Sequence, residues 1–168
     1  MSAKAFIGLG GNLGDVRATF KRALKKLEGF AQVEKVSSLY RSKPYGFGDQ
    51  PDFLNAAALI TTELEPLPLL AELQEIENEL GKRVIRENGP RAIDLDLLLY
   101  GDLVIKGDAL EVPHPGIPER DFVLLPLAEL DADFRHPGLN RSMRQLKSEC
   151  SGGYVMRKEE SAIPPSGG

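Results

Sequence analysis

The chain has 168 residues, a formal net charge of -4, 42% hydrophobic and 27% charged residues, values that are ordinary for one soluble domain with a core. The acidic balance argues against nucleic acid or a membrane surface as a partner, and no apolar stretch approaches the roughly 20 residues of a membrane helix. Cys150 is the single cysteine, which excludes an internal disulfide. A reducing compartment, and a start without the apolar run of a signal peptide, predict a cytoplasmic location.

The first half of the chain predicts three strands and one helix. Asp15 is a suitable N-cap, and the apolar residues after it recur at helical spacing until Gly29 stops the helix. A glycine turn leads into this helix, and a long loop with two prolines and two glycines precedes the third strand. The three strands, the glycine turn and the loop cover residues 5–9, 33–40, 54–62, 10–14 and 41–52.

The second half predicts a helix, a charged loop and a further strand. Pro66 opens the helix at a position that proline tolerates, and Gly81 ends it. The charged loop covers residues 82–91, residues 93–100 are the most strand-like segment of the chain, and residues 103–105 are expected to pair back onto that strand as a hairpin.

The order of these elements predicts an α+β sandwich of ferredoxin-like type. In this fold we expect helices to cover one face of a mostly antiparallel sheet. Residues 1–150 are expected to form a single domain. From residue 151 the composition turns to Gly, Ser, Pro and charge, so residues 151–168 are expected to be a flexible C-terminal tail.

Asp94 and Asp96 carry the sharpest chemical signal. Residues two apart on a strand point to the same side, so the two carboxylates share one face. The opposite face is expected to carry Ile93, Leu95, Leu97 and Leu99. Close carboxylates repel each other, and Mg²⁺ is typically held by one or two carboxylates with phosphate oxygens and water. A solvated strand face, or salt bridges to nearby arginines, is the alternative interpretation.

Positive charge gathers just before this strand. The cations are Lys82, Arg83, Arg86 and Arg91. Cations beside a carboxylate pair suit a polyphosphate, because a metal bridges some oxygens and guanidinium groups bind others. A solvated charged loop is the alternative. His114, between two prolines, and Arg120 form a weaker second group, and the chain contains no Walker loop.

Aromatic and amide side chains in the 42–55 region indicate a flat heterocyclic ligand. The residues are Pro44, Tyr45, Phe53 and Asn55. Rings stack on the faces of a heterocycle, and an amide pairs with its edge. Without further evidence, the alternative that Tyr45 and Phe53 simply cover the core is favoured.

Together these segments resemble the 6-hydroxymethyl-7,8-dihydropterin pyrophosphokinase family, from residue 5 to about residue 130. The matching stretches are 8–14, 37–41, 49–57, 89–96 and 112–114, with Arg120 and Phe122. The resemblance implies a ferredoxin-like α+β fold. It also implies transfer of pyrophosphate from ATP to the pterin alcohol, which gives the pterin diphosphate and AMP in folate biosynthesis. ATP and the hydroxymethyl dihydropterin are the partners it implies, with no obligate protein partner.

The resemblance also assigns roles to particular residues. It implies that Asp94 and Asp96 bind two Mg²⁺ ions bridging the ATP phosphates, and the catalytic set it implies adds Arg83 and Arg91. The implied nucleotide site comprises Leu70, Gln74, Glu77, Lys82, Arg86, Arg91, Leu97, His114 and Arg120. The implied pterin site comprises Asn12, Pro44, Tyr45, Phe53, Asn55 and Phe122.

The chain departs from the family pattern at several positions. Asn88 stands where some members stack a tryptophan on the pterin, and the loop at 82–86 lacks a common pair of arginines spaced one apart. Lys43 and Pro115 are further departures. The charged loop is predicted to close as a lid that excludes water. Two other classes stay open, a non-catalytic ligand-binding domain and a different metal-dependent phosphoryl or nucleotidyl transferase.

Overall fold

A six-stranded antiparallel sheet forms the centre of the structure, a computed structural model that describes residues 2–44, 49–81 and 92–159. The strands are β1 (Ala3–Gly11), β2 (Ala31–Val36), β3 (Tyr40–Ser42), β4 (Phe53–Thr62), β5 (Asp94–Tyr100), β6 (Ile105–Lys106), β7 (Glu111–Val112) and β8 (Val155–Lys158). The helices are α1 (Val16–Leu27), α2 (Pro66–Glu79), α3 (Asp121–Leu130) and α4 (Met143–Glu149), and residues 117–119 form a 3-10 turn. The main sheet runs β5-β1-β4-β3-β8, with β2 also paired to β4.

This architecture confirms the predicted α+β fold with a mostly antiparallel sheet and helices packed on it. Asp15 caps α1 as predicted, since its Oδ1 accepts the Ala18 N–H at 3.1 Å. Helix α2 begins at Pro66, also as predicted. In the described parts of the chain, no helix has the length and apolar character that crossing a membrane requires.

Helices pack on both faces of the sheet. One face packs against the buried stripes of α1 and α2, and the other packs against α3 and α4. The prediction of helices on one face is therefore wrong, because the apolar segment after Asp121 forms α3 despite containing Pro126. On this second face the Phe6 ring meets Phe134 edge to face, with the ring centroids 5.0 Å apart.

Three element boundaries differ from the sequence pattern. Strand β1 continues through Gly11, so Gly10 and Gly11 are strand residues and not part of a turn. The predicted strand at 33–40 divides into β2 and β3, and the buried Ser37 between them exchanges hydrogen bonds with the Ala57 backbone. Strand β6 pairs with β7 instead of folding back onto β5.

A bulge interrupts the predicted alternation along β5. Phe6 pairs with Leu99 and Ile7 pairs with Leu97, so Leu98 has no partner in the register. Leu98 and Leu99 therefore both pack on the α3 side of the sheet. The prediction that Leu99 shares a face with Leu95 and Leu97 is wrong for this reason, whereas the shared face of Asp94 and Asp96 lies before the bulge and is unaffected.

The end of the described chain differs from the expected flexible tail. Residues 155–158 form β8, which pairs antiparallel with β3. The Glu159 N–H donates to the Leu39 carbonyl at 2.7 Å, and the Glu159 carboxylate binds Arg41. Composition alone does not reveal a strand whose backbone hydrogen bonds are made to a distant segment. The remaining residues, 160–168, lie outside the described ranges.

Glu129 on α3 gives the fold a dependence on pH. Its carboxylate accepts hydrogen bonds from the Tyr40 hydroxyl and from the N–H and hydroxyl of Ser38. Burial raises the pKa of Glu129, but the hydrogen bonds from Tyr40 and Ser38 outweigh burial and leave this pKa below its ordinary value of 4.5. The folded state therefore favours the ionised carboxylate more than the unfolded state does.

The stabilisation by Glu129 is present above its unfolded pKa and is lost as pH falls through the lower folded pKa. We expect Glu129→Gln to lower the melting temperature near neutral pH, with a difference from wild type that shrinks toward about pH 3. Thermal melts at a series of pH values measure this, with the exposed Glu63→Gln as the control. A difference that stays constant with pH would contradict the assignment.

Candidate active site

A cleft of about 140 Å³ opens on the α3 face of the sheet. It lies where β5, β1 and β4 run side by side, next to the end of β3. Its lining includes Gly8, Gly10, Ser42, Lys43, Phe53, Asn55, Asp94, Asp96, Leu98, Arg120 and Phe122. The structure thus brings together residues that the sequence assigned to metal, nucleotide and pterin.

Glycines form the floor of this cleft. In the register of the sheet, Gly10 lies opposite Asp94 on one side and opposite Asn55 on the other, and Gly8 lies opposite Asp96. Because these central residues carry no side chains, the space between the carboxylates and the amide stays open. Gly10, which the sequence assigned to a turn, therefore has a different role, which only the strand pairing reveals.

Asp94 and Asp96 both border the cleft, the first half-buried and the second exposed. Leu95 between them is buried on the opposite face, and its N–H donates to the Glu77 carboxylate at 2.7 Å. In the described part of the sheet β5 is the edge strand, so Glu77 supplies an acceptor where no neighbouring strand does. Glu77 thereby ties α2 to the strand segment that carries both carboxylates.

Asn55 presents an acceptor to the cleft. Its Nδ2 donates to the Tyr40 carbonyl at 3.1 Å and to Ser42 Oγ at 2.7 Å. A carbonyl oxygen only accepts, so this end of the amide is the NH₂ group and the other end is Oδ1. Oδ1 lies 3.6 Å from the point where a Cβ on Gly10 would stand. The orientation of this buried amide is therefore fixed by β3.

Two aromatic rings border the same cleft. Phe53 begins β4, and Phe122 lies in the first turn of α3. The Phe122 ring meets the Tyr154 ring edge to face, with centroids 5.8 Å apart and planes at 82°. Rings beside a fixed amide are suited to a flat, polar-edged heterocycle.

Arg120 and His114, two of the predicted nucleotide residues, lie close together. The Arg120 side chain passes over Gly116, where a Cβ would stand 2.7 Å from Nε. His114 Nδ1 accepts the Gly116 N–H at 3.0 Å, so neutral His114 carries its proton on Nε2. Burial and, to a smaller extent, the charge of Arg120 lower the pKa of His114, whereas the charge of Glu111 raises it. The net lowering of the pKa favours the neutral ring near pH 7. His114 borders a neighbouring hollow that also contains His136.

Two other predicted pterin residues do not border the cleft. Asn12 is buried, and its Nδ2 donates to Gln50 Oε1 and to the Pro51 carbonyl, each at 2.9 Å. It therefore holds the start of the segment that leads into β4. Pro44 is half-buried and directly follows the lining residue Lys43.

Three predicted nucleotide residues also lie away from the described cleft. Leu97 is buried in the core that faces α1 and α2, and Leu70 packs against that same core. Gln74 is exposed on α2. The alternation of β5 directs the Leu97 side chain away from the carboxylates and toward the face that α2 covers.

Several predicted site residues lie outside the described residues. They are Tyr45, Lys82, Arg83, Arg86 and Arg91, together with Asn88 and the rest of the predicted lid. Sequence reasoning, for its part, did not single out Ser42, Leu98 or Tyr154. The position of Ser42 at the cleft follows only from the pairing of β3 with β4, and that of Leu98 follows only from the bulge in β5.

The family model described as 7,8-dihydro-6-hydroxymethylpterin-pyrophosphokinase (HPPK) matches residues 6–132. The chain belongs to this family. The predicted pyrophosphokinase activity toward a hydroxymethyldihydropterin in folate synthesis is thereby confirmed. Of the three classes that the sequence left open, the match supports the pterin pyrophosphokinase.

Curated relatives agree with this membership. The 2-amino-4-hydroxy-6-hydroxymethyldihydropteridine pyrophosphokinase of Aquifex aeolicus (strain VF5) is 40% identical over 147 residues, which cover 88% of this chain and 92% of the relative. The enzyme of the same name from Haemophilus influenzae is 46% identical over 135 residues, covering 79% of this chain and 84% of the relative.

Some relatives are much longer. The folic acid synthesis protein FOL1 of Dictyostelium discoideum is 38% identical over 160 residues, and the match covers 95% of this chain but 24% of that protein. Among solved structures, wild-type Plasmodium falciparum HPPK-DHPS with SDX-DHP superposes with a TM-score of 0.72 at 17% identity, covering 89% of this chain and 44% of that chain. At this identity the superposition supports the fold alone.

Proposed function

We propose that the cleft binds the hydroxymethyl dihydropterin and the phosphates of ATP side by side. The hydroxymethyl oxygen attacks the β-phosphorus and its proton is released to solvent, the bond from that phosphorus to the α-phosphate oxygen breaks, and AMP leaves. The observation that supports this proposal is the placement of a fixed amide, two aromatic rings and two carboxylates around one glycine floor. Such transfers depend mainly on positioning and charge neutralisation.

Asn55 and the two phenylalanines are proposed to bind the pterin. Because its Nδ2 is held by β3, Asn55 offers Oδ1 as a fixed acceptor to the N–H donors on the pterin edge. Phe53 and Phe122 are proposed to cover the faces of the ring. Asn55 and Asp94 flank Gly10 on neighbouring strands, so two strand spacings, roughly 10 Å in all, separate the backbones of these two residues. That span accommodates a bicyclic ring whose hydroxymethyl group points to the carboxylates.

Asp94 and Asp96 are proposed to hold two Mg²⁺ ions together with the ATP phosphates. Two carboxylates on one strand face are a suitable donor set, because Mg²⁺ takes one or two carboxylates with phosphate oxygens and water. The remaining ligands would be phosphate oxygens and water, as is usual for Mg²⁺ held by one or two carboxylates. When bound, Mg²⁺ neutralises charge on the phosphates.

Other side chains are proposed to position the nucleotide. The Arg120 guanidinium borders the cleft and is suited to bidentate contact with phosphate oxygens. Neutral His114 offers its Nε2 proton as a donor. Glu77 fixes the β5 backbone between the carboxylates and so acts through Asp94 and Asp96. The cations Lys82, Arg83, Arg86 and Arg91 are proposed to complete the charge complementarity.

An assay of AMP release tests the reaction itself. With the pterin alcohol, ATP and Mg²⁺ present, the full chain should release AMP and pterin diphosphate in equal amounts. Omission of the pterin should stop AMP release, which separates the reaction from simple ATP hydrolysis. Formation of ADP, or AMP release independent of pterin, would contradict transfer of pyrophosphate to the pterin.

Gly116→Ala tests the placement of Arg120. The backbone of Gly116, with φ -81°, accepts alanine without strain, but the new Cβ would stand 2.7 Å from Arg120 Nε and displace the guanidinium. We expect the Kd of an ATP analogue with Mg²⁺ to rise about 5-fold, with the melting temperature unchanged, through loss of a charge-assisted contact. Gly107→Ala is the control, since its Cβ meets only the Leu110 carbonyl at 3.5 Å. An unchanged Kd would remove Arg120 from the phosphate site.

A further inference from the structure

Tyr154, just before β8, connects two walls of the cleft. Its N–H donates to Asp121 Oδ2 at 3.1 Å, and the next N–H, that of Val155, donates to the same oxygen at 2.9 Å. Its carbonyl accepts the Lys43 N–H at 2.8 Å. Asp121 directly precedes Phe122, and Lys43 itself borders the cleft. The Tyr154 backbone therefore joins the start of α3 to the end of β3.

The Tyr154 ring adds a contact to the substrate-facing ring. It meets Phe122 edge to face at a centroid distance of 5.8 Å, a geometry that aromatic pairs prefer. A Phe122 ring held in one orientation loses less side-chain freedom when a flat ligand stacks on it. The same wall includes Ser42, which orients the Asn55 amide and pairs with Val155.

We propose that Tyr154 is a positioning residue for pterin binding. The side chain acts through Phe122, by fixing the ring, while the Tyr154 backbone carbonyl holds the end of β3 through the Lys43 N–H. This inference rests on the proposed pterin site and extends it to the 151–159 segment, which follows the last residue matched by the family model, 132. The specificity for the pterin thus depends on a part of the chain beyond that match.

A purely structural role predicts a different pattern of effects. Strand β8 covers β3, so on a purely structural role loss of the Tyr154 ring would only lower stability. A positioning role instead raises the Kd of the pterin selectively and leaves the Kd of the nucleotide unchanged. The two readouts separate the roles even in a variant that is also less stable.

Tyr154→Ala in the full chain tests the inference. With a non-hydrolysable ATP analogue and Mg²⁺ present, we expect calorimetry to give a pterin Kd raised about 5-fold, and the Kd of the analogue to change by less than about 2-fold. Tyr154→Phe keeps the ring and should retain wild-type pterin affinity. Met156→Ala is the control on the same strand, because this side chain is 51% exposed. If Tyr154→Ala does not fold, Tyr154→Leu keeps apolar bulk without the ring and replaces it.

Three outcomes overturn the inference. They are an unchanged pterin Kd in Tyr154→Ala, an equal rise in both dissociation constants, and a Tyr154→Phe variant as weak as Tyr154→Ala. Asn55→Ala, measured in the same assay, shows which proposal has failed. If Asn55→Ala weakens pterin binding and Tyr154→Ala does not, the proposed site stands and only this inference fails. If neither variant weakens it, both fail.

Discussion

Asp94→Ala and Asp96→Ala are each expected to lower turnover by more than about 100-fold, a barrier increase of roughly 3 kcal/mol. Each substitution removes a proposed ligand of the metal that neutralises the ATP phosphates. Neither removes a core side chain, since Asp94 is half-buried and Asp96 is exposed. The tie between Glu77 and the Leu95 N–H uses the backbone and persists in both variants. Single-turnover AMP release measures the loss.

Three controls make this result specific. Asp102→Ala removes an exposed carboxylate from the turn directly after β5 and should leave turnover unchanged. Asp94→Asn and Asp96→Asn keep the side-chain shape and should lose turnover as well, because the carboxylate charge is what holds the metal. Thermal melts confirm that each variant is folded. Losses below about 10-fold in both alanine variants, roughly 1.4 kcal/mol, would contradict the metal assignment.

Local patterns predicted the elements that depend on local forces. Helix α1 follows from the Asp15 cap and its apolar stripe, and α2 follows from Pro66. The shared face of Asp94 and Asp96 follows from strand periodicity because it needs only two residues of one strand. The gathering of Phe53 and Asn55 with Arg120 and Phe122 at one cleft was expected only from the family resemblance, since these two pairs are far apart in the chain.

Features that depend on pairing between distant segments were not predictable. The bulge at Leu98 arises from the register between β1 and β5. The glycine floor exists because Gly8 and Gly10 lie between two other strands, a fact that the chain order near residue 10 does not contain. Strand β8 is only four residues long and is recognisable only once β3 is in place beside it. Each is a property of the sheet and not of the segment.

Asn55→Ala is expected to weaken pterin binding by about 1–3 kcal/mol, since it leaves polar groups of the bound ligand buried without a partner. This corresponds to a rise in Kd of roughly 5- to 150-fold. Binding of an ATP analogue with Mg²⁺ should change little. Thr61→Ala is the matched control, because Thr61 lies on the same strand and loses one hydrogen bond, to Glu34, far from the cleft.

The hydrogen bonds of Asn55 also require that its two ends be tested separately. Its Nδ2 binds β3, so Asn55→Ala removes a structural contact as well as the proposed acceptor. Ser42→Ala removes one of the two partners of Asn55 Nδ2. The other partner, the Tyr40 carbonyl, continues to hold the amide, so Oδ1 stays in place. We therefore expect Ser42→Ala to raise the Kd of the pterin less than Asn55→Ala does. If Ser42→Ala weakens pterin binding as strongly as Asn55→Ala does, the loss of affinity comes from the orientation of the amide by β3 and not from the acceptor Oδ1. If Asn55→Ala weakens the ATP analogue and the pterin equally, Asn55 supports the fold and the proposed pterin contact is wrong.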